Sequence, residues 1–125
     1  MTTITLTLPL PYKQLSPNAR VNRVIKSKLV KAHRKVAHLA TAALLKGNTP
    51  GGWMKSKLEV TAYFPTYRFP DPENFMASLK AYEDGIADSG LIVNDKSLWP
   101  EEPIFAKDAS RPRVILTITK EQPPL

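Results

Sequence analysis

Among the eleven acidic residues of the second half, two groups stand where an apolar stretch meets a loop. One is Asp71-Pro72-Glu73-Asn74; the other is Asp95, directly after Leu91-Ile92-Val93. Hard cations such as Mg²⁺ take oxygen ligands, commonly one or two carboxylates completed by waters and substrate phosphates. Asp71 and Glu73, two positions apart, could reach one ion. Asp95 could close the site if 91–95 lies beside the start of the helix that follows Pro72. The same letters also spell an ordinary helix start: Asp at the N-cap, Pro at the first helical position and Glu in the first turn. Such a cap stabilises a helix by about 1 kcal/mol without any chemistry. A carboxylate can cap in one state and bind metal in another, so both readings stay open. Lys80, about two turns further on, has two roles as well. It can pair with Asp84 at i,i+4 for a few tenths of a kcal/mol, or place a cation near a scissile phosphate.

The basic residues are segregated from these acids. Residues 1–58 carry eleven Lys and Arg and no acid, whereas 59–125 carry seven cations against eleven acids, a net of −4 within an overall +7. Seven of the cations crowd into 20–35: Arg20, Arg23, Lys26, Lys28, Lys31, Arg34 and Lys35. With Asn18 just upstream, the stretch 18–38 is the expected DNA-binding segment. A solvated helix face normally mixes both signs, and this one has no acid. Seven phosphate contacts would give a log–log salt slope of roughly −6. No zinc-finger or RNP-type pattern is present, so shape and charge rather than base sequence would govern binding. His33 and His38 read as polar-face or packing residues.

Length and composition set the frame. A chain of 125 residues with 42% apolar and 23% charged residues is expected to form one domain with a modest core. No apolar run approaches a membrane span. The N-terminus reads as part of the fold rather than as a signal peptide. The absence of cysteine excludes disulfides and thiolate zinc sites. A cytoplasmic setting follows.

The elements that must position these residues are legible as periodicities. Residues 2–10 alternate Ile4, Leu6 and Leu8 with threonines, as a strand does. A helix is expected from about 21 to 45, with Leu29, Val36, Ala40 and Ala43 as its apolar stripe, stopped by 47–52. Residues 57–64 alternate again. A second helix is expected from about 72 to 87, because Phe75, Leu79, Tyr82 and Ile86 share one face. The run 91–95 reads as a short apolar strand, 97–110 as irregular, 113–119 as a last strand and 121–125 as a frayed tail. The sum is a single α+β domain, a small mixed sheet covered by two helices in the order β-α-β-α-(β)-β.

The stretch PDPENFMASLKAYEDGIADSGLIVND, 70–95, resembles the core signature of RusA-type Holliday-junction resolvases. That signature has an acid-x-acid-Asn box, a helix carrying Lys, and an Asp after a small-residue turn and an apolar run. The opening strand ending in Pro-x-Pro, the SPNAR segment and the final strand are also similar. By position, the resemblance implies that Asp71, Glu73 and Asp95 are metal-binding catalytic carboxylates, that Lys80 is the catalytic lysine and that Asn74 is the supporting Asn of the box. Glu73 stands where the family more often has Asp, adding a methylene at constant charge. The implied activity is Mg²⁺-dependent hydrolysis of four-way DNA junctions by a homodimer, with Mn²⁺ as an accepted substitute. Two rivals share these features: a non-catalytic DNA-binding or architectural protein, and a metal nuclease for flaps or other branched DNA.

Overall fold

The computed structural model describes residues 2–17, 19–45 and 51–121. Asn18, the expected helix stop at 47–50 and the tail at 122–125 lie outside the described residues. The architecture is α+β: one mixed five-stranded sheet with helices packed on one of its faces. The elements are β1 (Thr3–Leu8), α1 (Arg23–Leu45), β2 (Ser56–Phe64), α2 (Pro72–Ser78), α3 (Lys80–Asp88), β3 (Leu98–Pro100), β4 (Ile104–Lys107) and β5 (Arg113–Lys120). β5 lies between β1 and β2 and is antiparallel to both, while β3 and β4 run parallel to β2 along its other edge.

Strand alternation builds the core directly. Register places Ile4, Ile118 and Leu58 in one row, Leu6, Leu116 and Val60 in the next, and Leu8, Val114 and Ala62 in a third. All nine are buried. Their neighbours, including Thr3, Thr5 and Thr7, point to the uncovered face, as the period of two requires.

The second expected helix is two helices. Phe75, Leu79, Tyr82 and Ile86 are all buried, but the backbone breaks at Leu79, with φ −85° and ψ −1°. The Ser78 hydroxyl donates to the Phe75 carbonyl at 2.5 Å, and the Leu79 N–H donates to Met76 at 3.1 Å. A serine competing for its own helix's carbonyls, together with an i−3 bond, tightens the turn and ends α2.

The expected strand at 91–95 is also corrected. Leu91 and Ile92 are buried, but they make only an isolated bridge with Trp53. The Asn94 side chain accepts the Lys96 N–H at 2.8 Å and turns the chain into a 3-10 turn at Asp95–Ser97. The pairing falls instead to β3 and β4, in a stretch expected to be irregular.

α1 forms as expected but turns a different face inward. His33, Ala37 and Thr41 are buried. The expected stripe lies at the margin: Leu29 and Ala40 are half-buried, whereas Val36 is 42% exposed and Ala43 is exposed. His33 is a packing residue. Its Nε2 accepts the Tyr12 N–H at 3.3 Å, so Nδ1 carries the proton and donates to Leu29 O at 2.9 Å. Its ring stacks on Tyr82 at 5.1 Å between centroids. Small residues on the inner face let α1 approach α3 closely. Among the described residues, no helix is long and apolar enough to cross a membrane.

Candidate active site

The acid box sits at the start of α2. Asp71 is the N-cap: its Oδ2 accepts the Asn74 N–H at 2.9 Å, with Pro72 next and Glu73 in the first turn. The cap reading of these letters is therefore right as local structure. It leaves both carboxylates exposed and the second oxygen of Asp71 uncommitted among the described residues. Two exposed, hard oxygen donors at a rigid helix start fit a divalent cation that completes its shell with water and phosphate.

Asp95 is held elsewhere. It lies beside the start of α3 rather than α2, where the Lys80 ammonium donates to Asp95 Oδ2 and, at 2.9 Å, to Asp84 Oδ1. The break at Leu79 begins a new helix with Lys80 in its first turn, one turn before Asp84. The pairing expected of Lys80 within its helix is present, and the same ammonium also grips Asp95. The Asp95 hydrogen bond holds the lysine above its ordinary pKa, and the same bond holds Asp95 below the usual carboxylate value. Among the described residues, no three His, Asp or Glu side chains converge as a metal-binding group. The acids form two sets, Asp71 with Glu73 and Asp84 with Asp95, and Lys80 bridges the second.

Glu83 belongs to this region and was not singled out from the sequence. Burial is the main cause that pushes its pKa up to about 7, with Asp84 and Asp95 adding repulsion and Lys80 opposing it. The folded protein therefore binds more protons here than the unfolded chain between the ordinary value of 4.5 and about 7. Stability is fully present below that window and is lost as pH rises through it. Glu83→Gln should unfold in urea at a higher midpoint than wild type at pH 8, by at most about 3 kcal/mol. At pH 4 the two should coincide. Equal midpoints at both pH values would show that Glu83 is ionised in the folded protein.

The basic segment is carried mostly by α1. Arg20, Arg23, Lys28, Lys31 and Lys35 are exposed and Lys26 is half-buried. Among the described residues none of these six makes an ion pair, whereas Arg34 is committed to Asp88 through Nε at 2.5 Å and Nη2 at 2.8 Å. This bidentate pair joins α1 to the end of α3, so Arg34 acts first as a structural clamp. The pairing could not be read from α1, because the acid arrives from another helix.

Beside the acid box lies a groove of about 790 Å³, lined by Tyr12, Phe64, Phe69, Phe75, Asn74 and others, with Lys13 and Arg68 as its charged lining residues. Its walls come from four separate segments, so no continuous stretch of sequence marks it.

No protein-family model matches the chain. The chain is 38% identical over 115 residues to an uncharacterized protein of Xylella fastidiosa strain Temecula1, an alignment covering 91% of this chain and 74% of that protein. Identity of that extent along nearly the whole domain places the chain in the same family as the Xylella fastidiosa protein.

Proposed function

We propose that the protein is a Mg²⁺-dependent endonuclease for branched DNA, a resolvase of four-way junctions of the RusA type. The observation that carries this reading is the exposed pair Asp71 and Glu73, kept at a rigid helix start in a chain whose first 58 residues contain no acid. A polyanion attracted to the basic part would meet two hard oxygen donors that have no partner of opposite charge among the described residues.

Asp71 and Glu73 would hold the cation. A bound Mg²⁺ or Mn²⁺ supplies an acidified water and neutralises charge at phosphorus. Lys80 keeps Asp95 ionised and fixed in direction. Asn74, in the first turn of α2, supports the box through its backbone bond to Asp71. Water oxygen bonds to phosphorus, the P–O3′ bond breaks and O3′ takes up a proton, leaving 5′-phosphate and 3′-hydroxyl ends. Arg20, Arg23, Lys26, Lys28, Lys31 and Lys35 bind phosphates of the arms.

Two symmetric cuts call for two sites and hence a two-fold dimer. The outer stripe of α1 supports this. Ile25, Leu29, Ala32, Val36, Leu39 and Ala43 recur at alternating steps of four and three, the spacing of a helix-pairing seam. In an antiparallel pair centred on Val36, Leu29 faces Ala43, so large meets small, and Ala32 falls opposite Ala40, one position from Leu39. Residues 36–45 contain no Lys, Arg, Asp or Glu. The cationic half of each helix would then lie against an uncharged half of its partner. Leu39→Glu should convert the dimer to monomer in sedimentation velocity while leaving the circular dichroism spectrum unchanged. A dimer that survives this change would use another surface.

The test of function is incubation with a synthetic four-way junction, with and without Mg²⁺, resolved strand by strand on a denaturing gel. Paired symmetric nicks that need the cation support the reading. Tight junction binding without cleavage in Mg²⁺ or Mn²⁺ supports a DNA-binding protein whose acid box is only a cap. Cleavage of flaps in preference to junctions supports a nuclease for other branched DNA.

A further inference from the structure

The groove beside the acid box has features that neither the metal site nor the basic helix accounts for. Its wall is aromatic and rigid. Phe64 makes edge contacts with Phe75 at 5.6 Å and Phe105 at 5.2 Å, and packs at 5.6 Å from Phe69. Rings locked against one another in this way form a prearranged surface. The wall also remains open: Phe69 is 40% exposed and Tyr12 is 57% exposed. A volume of about 790 Å³ lies within the range of small-molecule sites.

Its polar groups narrow the occupant. Lys13 and Arg68 are the charged residues that line it, both cations, although the acid box begins one residue beyond Pro70 on the same wall. The Asn74 carboxamide, also on the wall, makes no hydrogen bond among the described residues and offers both a donor and an acceptor. An aromatic face, a free amide and a cationic rim are what a nucleobase and its flanking phosphates require. A hydrophobic peptide or a second copy of the chain would match the rings, but would leave both cations without a counter-charge.

We infer that this groove receives one unpaired nucleobase of the DNA strand whose neighbouring phosphate reaches Asp71 and Glu73. The assignment rests on the nuclease reading for that strand's course, but not for binding itself. In a four-way junction the bases at the branch point are the least costly to unstack, so the groove would select branched over plain duplex DNA. It would also add a base preference that phosphate contacts alone cannot give.

The test uses the full chain in EDTA, so that cleavage does not enter. Two end-labelled single-stranded pentanucleotides are titrated by anisotropy, one with 2-aminopurine at its centre and one with an abasic centre. The base-containing strand should bind about tenfold more tightly, with quenching of the 2-aminopurine as it stacks. Phe69→Ala should bring the two affinities together and Phe69→Trp should restore the gap. Lys13→Ala should weaken both strands equally, because it removes a phosphate contact. Equal affinities for the two strands with the wild-type chain would overturn the inference, as would a gap unchanged in Phe69→Ala. A gap that persists in a protein unable to cut junctions in Mg²⁺ would keep the groove and discard the nuclease. Junction cutting without any gap would do the reverse.

Discussion

Asp71→Asn is expected to lower Mg²⁺-dependent junction cleavage by about a thousandfold or more, on the order of 4 kcal/mol, while junction affinity in EDTA stays the same. The substitution separates the two roles that the sequence leaves superimposed. Asn caps a helix about as well as Asp, so the bond from the Asn74 N–H can be kept and the melting temperature should move little. What is lost is one charged oxygen donor for a hard cation. Asp71→Ala adds the loss of the cap, about 1 kcal/mol of stability, to the same loss of cleavage. Asp95→Asn should also abolish cleavage and spare binding. Its cost in stability is small, because the pair with Lys80 is largely solvent-exposed. Lys80 would retain Asp84. Denaturing gels for cleavage and anisotropy for binding decide the matter. Wild-type cleavage by Asp71→Asn would reduce the box to a cap, and equal loss of cutting and binding in Asp95→Asn would remove Asp95 from the chemistry.

The strands were legible because alternation in 2–10, 57–64 and 113–119 has one physical meaning when only one face of a sheet is covered. Helix faces were legible only in part. The stripe Phe75-Leu79-Tyr82-Ile86 is the buried one, since those side chains are the large apolar ones of that segment. In α1 the large side chains are on the outer margin, and the buried positions are His33, Ala37 and Thr41. A hydrophobicity pattern looks for apolar residues, whereas the inward positions here are Ala37, Thr41 and a hydrogen-bonded His33, because a second helix presses on that face. The break at Leu79 was invisible for a related reason: a serine that bonds its own backbone interrupts a helix without interrupting its apolar period. β3 and β4 are three and four residues long and gain their pairing from β2, so no local pattern announces them. At the candidate site, residue identities were readable and distances were not. The box and its cap lie within four consecutive residues, but the attachment of Asp95 to Lys80, and of Arg34 to Asp88, depends on how α3 docks. The groove, with walls from separate segments, left no continuous signal at all.

That docking depends on one residue, and Gly85→Ala is expected to destabilise the fold by about 3 kcal/mol, the upper part of the range for forcing extra volume into a packed interior. A Cβ added at Gly85 would stand 2.1 Å from the Arg34 carbonyl oxygen and 3.0 Å from the Ala37 Cβ. The nearer obstacle is backbone, so no side-chain rotation relieves it. α3 must move off α1, and the contacts made by Tyr82, Ile86 and His33 loosen together. For a domain of this size the melting temperature should fall by roughly 10 °C or more, a large part of a typical net stability of about 5–15 kcal/mol. Gly90→Ala is the control. Gly90 follows the end of α3 with φ +89° and has no atom within 4 Å of a built Cβ, so its penalty is backbone strain alone, about 1–2 kcal/mol. The two variants also differ in reach. Only Gly85→Ala should shift Asp88 away from Arg34 and tilt the helix that carries Lys80, so junction cleavage well below the melting temperature should fall with it and not with Gly90→Ala. A Gly85→Ala protein within about 1 kcal/mol of wild type in urea unfolding would mean that α1 and α3 are not in backbone contact, and the placement of Lys80 against Asp95 would lose its structural basis.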